Sequence, residues 1–160
     1  MVSFVEVSKM YPNNTQAVDG FSLTMAKGEL VVLIGPSGCG KTTTLKMVNR
    51  LIQPTAGKIF INDVDTDELD PVELRRQIGY VIQDISLFPH QTVARNIATV
   101  PLLKKWPDDQ IRDTVDRLLR MVDMDPAVFR NRYPSELSGG QQQRIGVLRA
   151  LAADPEVMLM

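Results

Sequence analysis

This chain of 160 residues is poor in the side chains that most often carry chemistry, with one cysteine, one histidine and one tryptophan. A single cysteine, Cys39, cannot close an internal disulfide, and its isolation fits a reducing, cytoplasmic compartment. With His90 as the sole histidine there is no Cys/His grouping to hold zinc. Lys and Arg number 18 against 19 Asp and Glu, a formal net charge of -1, so no cationic excess exists to neutralise a nucleic-acid backbone or an anionic membrane face. Nucleic acid is therefore not an expected partner. Long apolar runs are missing too: Leu30 to Ile34 is far short of the roughly 20 residues that span a bilayer. The N-terminus also lacks the basic start and apolar core of a signal peptide. Any membrane association is expected to come through a partner. The remainder, 44% hydrophobic and 23% charged, suits one soluble globular domain with a substantial core.

What is present is concentrated in two motifs. Gly35-Pro36-Ser37-Gly38-Cys39-Gly40-Lys41-Thr42 matches G-x-x-x-x-G-K-[ST], a loop whose backbone N–H groups wrap a polyphosphate while the lysine reaches the terminal phosphates. Its glycines allow close approach, the following helix aims its N-terminal dipole at the phosphates, and Thr42 offers a hydroxyl to Mg²⁺. Thr43 is expected to add a phosphate contact. The bland alternative is a glycine-rich strand-to-helix turn, but the context is right on both sides. Leu30–Ile34 reads as a strand apolar on both faces, as in the middle of a parallel sheet. Thr42 to Ile52 has helical spacing at 45, 48 and 52.

The second motif is Leu137-Ser138-Gly139-Gly140-Gln141, followed by Gln142, Gln143 and Arg144. Ser138 and Gln141 have capping-box spacing, so Ser138 is expected to cap a helix carrying Gln142 to Ala152. A cap does not explain Gly139-Gly140, which weaken a helix start unless something must approach the backbone. Hydroxyl, bare glycine amides and helix N-terminus together make an anion site.

Elsewhere Phe4–Val7, Val18–Met25 and Lys58–Asn62 read as strands, and Asp70-Pro71-Val72-Glu73 as a helix start with Asp70 as N-cap and Glu73 reaching back. Ile78–Ile82 reads as a buried strand ending at Gln83. From Leu87 to Tyr133 the pattern turns helical and more polar. Its clearest helix runs from Asp108 to about Val122, with Ile111, Val115, Leu118, Leu119 and Val122 in one stripe. The carboxylates of Asp108, Asp109, Asp113, Asp116 and Asp123 fall mostly on its solvated side.

The motif pair resembles the ATP-binding subunit of an ABC transporter, over residues 2–160. The resemblance implies an α/β P-loop NTPase (RecA-like) sheet core with N-terminal antiparallel strands and an inserted helical subdomain, ending at the Walker B strand. Its parts are then an ATP-binding sheet core over 1–86, a helical subdomain over 87–137, and the signature helix with the start of the Walker B strand over 138–160. It implies that Tyr11 stacks on adenine, that Gly35 to Thr43 bind the phosphates with Lys41 catalytic, and that Gln83 touches Mg²⁺ and the attacking water. Ser138 to Gln141 would grip the γ-phosphate of ATP held by the opposite subunit, so each complete site needs two chains. His90 falls in a segment that lies near the transmembrane partner in the family, and a structural or docking role is expected for it. Cys39 occupies a variable loop position.

The stretches Ile78–Gln83, Lys46–Leu51 and Val100–Trp106 look like the subgroup that imports glycine betaine, choline, carnitine or proline. That implies ATP and Mg²⁺, a second copy of the subunit, transmembrane permease subunits and, indirectly, a solute-binding protein, at the inner face of the cell membrane. Residues 150–160 resemble the lead-in to the Walker B strand. The expectation is a chain that binds ATP, lacks the carboxylates hydrolysis needs, and self-associates or is marginally stable. Two other readings are a soluble non-transport ABC ATPase and a nucleotide-binding module without turnover.

Overall fold

The computed structural model describes residues 1–82 and 87–160, which form two compact units, Met1–Arg75 and Arg76–Met160. The first is built on an antiparallel sheet. Strands β1 (Val2–Met10), β2 (Gln16–Met25), β3 (Ala56–Ile61) and β4 (Val64–Asp65) lie in the order β2-β1-β3-β4. β1 pairs with both β2 and β3, with Phe4 opposite Leu23 on one side and Ile59 on the other. Alternation puts Val2 and Phe4 of β1, and Ile59 and Ile61 of β3, on the buried face; Met47 and Val48 of helix α1 (Lys41–Val48) are buried as well. Phe4 meets Phe21 edge to face, centroids 5.2 Å apart.

β1 does not run straight. Its register shifts between Phe4 and Val7, where Glu6 takes φ 48°. Ser22 holds this bulge by accepting the Glu6 N–H at 2.9 Å and donating to Glu6 Oε1 at 2.9 Å. The bend brings the Glu6 carbonyl onto Gly57, where a Cβ would collide with it. Gly57 is thus required by the approach of β1 to β3.

Three expectations need amending, the first being the buried strand over Ile78–Ile82, which ends at Tyr80 and leaves Ile82 exposed. Leu30–Ile34 joins no ladder among the described residues, and Leu30, Val32 and Ile34 are 78%, 69% and 88% exposed, while Val31 and Leu33 are half-buried. An apolar run states which surroundings suit it, but burial on two faces needs neighbouring strands, and none of the described residues supplies them. Helix α1 also ends at Val48 rather than Ile52, because Arg50 turns to φ 52°.

Helix α2 (Pro71–Gln77) starts as its cap dictates: Asp70 Oδ1 accepts the N–H groups of Val72 and Glu73 at 2.9 and 3.0 Å. In the second unit, strand β5 (Ile78–Tyr80) pairs in parallel with β6 (Val157–Leu159). The helices are α3 (Val93–Ile97), α4 (Thr99–Leu103), α5 (Asp108–Met121), α6 (Pro126–Phe129) and α7 (Gly139–Leu151). Helix α5 follows its stripe, with Val115, Leu118 and Leu119 buried, against Val93 and Ile97 of α3 and Ile145 and Leu148 of α7 in one core. Asp108 and Asp109 in its first turn and Arg120 in its last complement the helix dipole. Asp108, Asp109, Asp113 and Asp123 are exposed, whereas Asp116 is partly buried and faces Arg130 at 3.4 Å.

Candidate functional site: a phosphate loop and a capped glycine helix

Gly40 ends the phosphate loop at φ 91°, in the left-handed region, and is the N-cap of α1 with no side chain bonded to the helix start. Gly40 thus offers the first-turn N–H groups of α1 no capping side chain. Gly40 has no substitute, since a Cβ there would be driven into the carbonyl oxygen of Ala17 on β2. Gly38, at φ 83°, faces open space. Lys41 turns back over the loop: its Nζ donates to the carbonyls of Gly35 at 2.8 Å and Pro36 at 2.9 Å, and lies 3.4 Å from Cys39 Sγ. Cys39 is an exposed free thiol. The cation is thus held at the centre of the loop by carbonyls, close to where a polyphosphate would lie.

Two further devices fix this helix. At its start, Thr44 donates its hydroxyl and its N–H to Gly40 O, at 3.1 and 2.8 Å. At its end, Arg75 donates to Asn49 O at 3.0 Å and Arg50 O at 2.7 Å, covering carbonyls left open there. Arg50 in turn donates to Thr66 O and Leu69 O.

Tyr11 stands beside the loop, its hydroxyl 3.3 Å from Thr43 Oγ1, on a hairpin closed by Tyr11 N–H to Thr15 O at 2.9 Å. Lys9 Nζ lies 5.6 Å from its ring centroid. Next to the loop is a cavity of about 440 Å³, lined by Ala17, Val18 and Asp19 of β2 and by Val32, Cys39 and Lys41. Ser37 and Thr42 are exposed. The structure therefore gathers Tyr11, the loop residues, Lys41 and Thr43 in one place. Gln83 lies outside the described residues.

In the second unit Ser138 caps α7 as its spacing predicts. Its Oγ accepts the Gln141 N–H at 3.3 Å, and Gln141 Oε1 accepts the Ser138 N–H at 2.9 Å. A hydroxyl that accepts still has its own proton to donate. Gly139 and Gly140 are exposed, and a Cβ on either would meet nothing within 4 Å. Nothing among the described residues crowds these glycines.

His90 is exposed, its ring 6.2 Å from that of Phe88. Phe88 also faces the Arg149 guanidinium of α7 at 5.5 Å, and burial lowers the pKa of Arg149 from its ordinary value. Sequence reasoning passed over Asn96, which is fully buried and binds the segment carrying both rings. The available signal was a polar residue on the same helical face as Val93 and Ile97. Among the described residues no group of three or more His, Cys, Asp or Glu could hold a metal. No described helix is long and apolar enough to cross a membrane.

The chain is similar to known proteins in sequence and in fold. The chain is 59% identical over 160 residues to the choline transport ATP-binding protein OpuBA of Bacillus subtilis, covering 100% of this chain and 42% of that protein. It is 56% identical over 145 residues to the osmoprotectant import ATP-binding protein OsmV of Salmonella typhimurium, covering 91% and 38%. The chain thus spans less than half the length of these relatives. A solved dimeric structure of MJ0796, a bacterial ABC transporter cassette, superposes with a TM-score of 0.86 at 34% identity, over 99% of this chain and 72% of that one. The family model described as ABC transporter matches residues 18–160, and with a phosphate loop before α1 and a serine-capped glycine start to α7, the chain belongs to the ABC transporter family.

Proposed function

We propose that these residues are the nucleotide-binding part of an ABC importer subunit that couples ATP hydrolysis to uptake of a quaternary-amine osmoprotectant. The observation that carries the ATP reading is the Lys41 ammonium, held over the loop by Gly35 O and Pro36 O beside a helix start without a side-chain cap. A triphosphate would take those N–H groups and the lysine charge, with Tyr11 placed to stack on its base. Thr42 is the described residue to hold Mg²⁺, which when bound would screen the charge of the terminal phosphates; Gln83 is proposed as a second contact. Ser138, Gly139, Gly140 and Gln141 are proposed to grip the γ-phosphate of ATP on a second copy, because the open space that the described residues leave around Gly139 and Gly140 admits a ligand to the capped helix start.

The solute class rests on relatives named for choline transport and for osmoprotectant import. A solute carried by a permease does not touch this subunit, so no residue here is assigned to it. Partners proposed are a second copy, transmembrane permease subunits and, through them, a solute-binding protein, at the inner face of the membrane. The division into a sheet core over 1–86, a helical subdomain over 87–137 and a signature segment over 138–160 belongs to the same proposal. Turnover is proposed for the full-length subunit, and ATP binding for these residues.

The test is isothermal titration of the chain with ATP and Mg²⁺, together with choline and glycine betaine uptake by vesicles holding the full-length subunit and its permease. ATP affinity that Lys41→Ala weakens, with uptake dependent on ATP, supports the proposal. Uptake of neither solute would remove the substrate class, and undiminished affinity in Lys41→Ala would remove the site.

A further inference from the structure

The three glutamines after the glycine pair are alike in sequence but differ in what they do. Gln141 places its side-chain oxygen on the Ser138 N–H at 2.9 Å. Gln142, one residue on, sends its side chain back along the helix axis, the direction side chains take on a helix. Its Nε2 donates both hydrogens, to Pro134 O at 3.0 Å and to Leu137 O at 3.2 Å. Gln143 is exposed.

Those two carbonyls bracket a short 3₁₀ turn, Pro134–Glu136. The turn is closed by the Leu137 N–H to Pro134 O at 3.1 Å and by Glu136 Oε2 accepting the Tyr133 N–H at 2.7 Å. After it Leu137 and Ser138 are extended, at φ -110° and -66° with ψ 146° and 158°. Extended residues ahead of a helix have no ladder of their own, so their direction is set by whatever holds their carbonyls. Within this segment Gln142 is the side chain that holds both ends of the turn to α7.

We propose that Gln142 is a positioning residue for the phosphate-gripping start of α7. By fixing Leu137 it aims the Ser138 hydroxyl and the Gly139 and Gly140 amides outward along the helix axis. This rests on the reading of that helix start as the grip on the partner copy's ATP. Gln142 itself touches no phosphate in this scheme. The requirement is for a donor: a carboxylate at this position would set oxygen against two carbonyl oxygens, whereas an ammonium of similar reach would restore the bonds.

The experiment uses the full-length subunit and compares wild type with Gln142→Glu, Gln142→Lys and Ser138→Ala. It reads ATP affinity, kcat and KM of ATP hydrolysis, and the ATP-dependent dimer fraction by light scattering, with a thermal melt to confirm folding. Gln142→Glu is expected to lower kcat and the dimer fraction about three- to tenfold while ATP affinity of the single subunit stays at the wild-type value. Gln142→Lys is expected to restore kcat. Equal losses in Gln142→Glu and Gln142→Lys, with both folded, would overturn the donor role. Wild-type kcat in Gln142→Glu beside a slow Ser138→Ala would overturn the positioning role and leave the grip standing. Wild-type turnover and dimer formation in Ser138→Ala would overturn the grip, and the role of Gln142 with it.

Discussion

Asn96 and Phe88 exchange a reciprocal pair of hydrogen bonds: the Phe88 N–H donates to Asn96 Oδ1 at 2.7 Å, and Asn96 Nδ2 donates back to Phe88 O at 3.1 Å. The same amide reaches Gln91 O at 3.1 Å and Thr92 O at 3.0 Å. A side chain with no exposed surface thus gathers the segment from Phe88 to Thr92 onto the start of α3, leaving Phe88, Pro89 and His90 exposed.

Replacing Asn96 should therefore cost more than its size suggests. Asn96→Ala takes this side-chain partner from the partly buried Phe88 N–H and from the carbonyls of Phe88, Gln91 and Thr92, and is expected to destabilise by about 1–3 kcal/mol. Asn96→Asp keeps the shape but sets a carboxylate against three carbonyls, and should cost at least as much at neutral pH. Urea unfolding followed by circular dichroism measures both. An Asn96→Asp midpoint equal to wild type would show that the amide donors do not hold this segment.

The glycines of the phosphate loop separate by what a Cβ would meet. Gly40→Ala must resolve a collision with Ala17 O as well as adopt φ 91°, and should destabilise by roughly 2–4 kcal/mol. Gly38→Ala has only the backbone strain of φ 83° in open space, about 1 kcal/mol. Thermal melts of the two variants should differ clearly, and equal melting points would contradict the packing of the loop against β2.

Lys41→Ala removes the one cation that Gly35 O and Pro36 O hold in the loop. Charge-assisted hydrogen bonds contribute about 1.5–3 kcal/mol, so ATP affinity should fall roughly ten- to hundredfold. Lys41→Arg keeps the charge but not the compact ammonium, and is expected to recover only part of it. Calorimetric titration at fixed ionic strength tests this.

A pH dependence follows from Asp65, buried at the end of β4. Lys58 bonds to it at 2.7 Å and, with the Asp67 N–H, holds its carboxyl below the ordinary value, while the pKa of Lys58 is raised. A carboxylate with a lowered folded pKa contributes stability that is present above its unfolded pKa and lost as pH falls through the folded one. Asp65→Asn preserves an acceptor for the Asp67 N–H but removes the charge. Its urea midpoint should lie below wild type at pH 7, and the gap should close on the acid side of the usual carboxylate range. A gap that persists unchanged into acid would assign the loss to packing instead.

Local order is what this chain carries in its sequence. The Ser138–Gln141 box and the Asp70 cap bind groups within a few residues of one another, and the apolar stripe of α5 repeats at the period of its own helix, so spacing determined them. The bonds of Lys41 to Gly35 O and Pro36 O are local in the same way, whereas the need for glycine at 40 comes from the distant Ala17 carbonyl. Tertiary structure decided everything that depends on a distant partner. Apolarity did not put Leu30–Ile34 in a ladder among the described residues, because burial on two faces requires neighbouring strands. No pattern distinguished Gln142 from its neighbours, because its partners are carbonyls whose direction exists only once the turn before α7 has formed. Asn96 looks like a polar interruption of a helix until the segment from Phe88 to Thr92 folds onto it. Those bonds join a side-chain amide to backbone groups brought to it by folding, and side-chain spacing does not encode them.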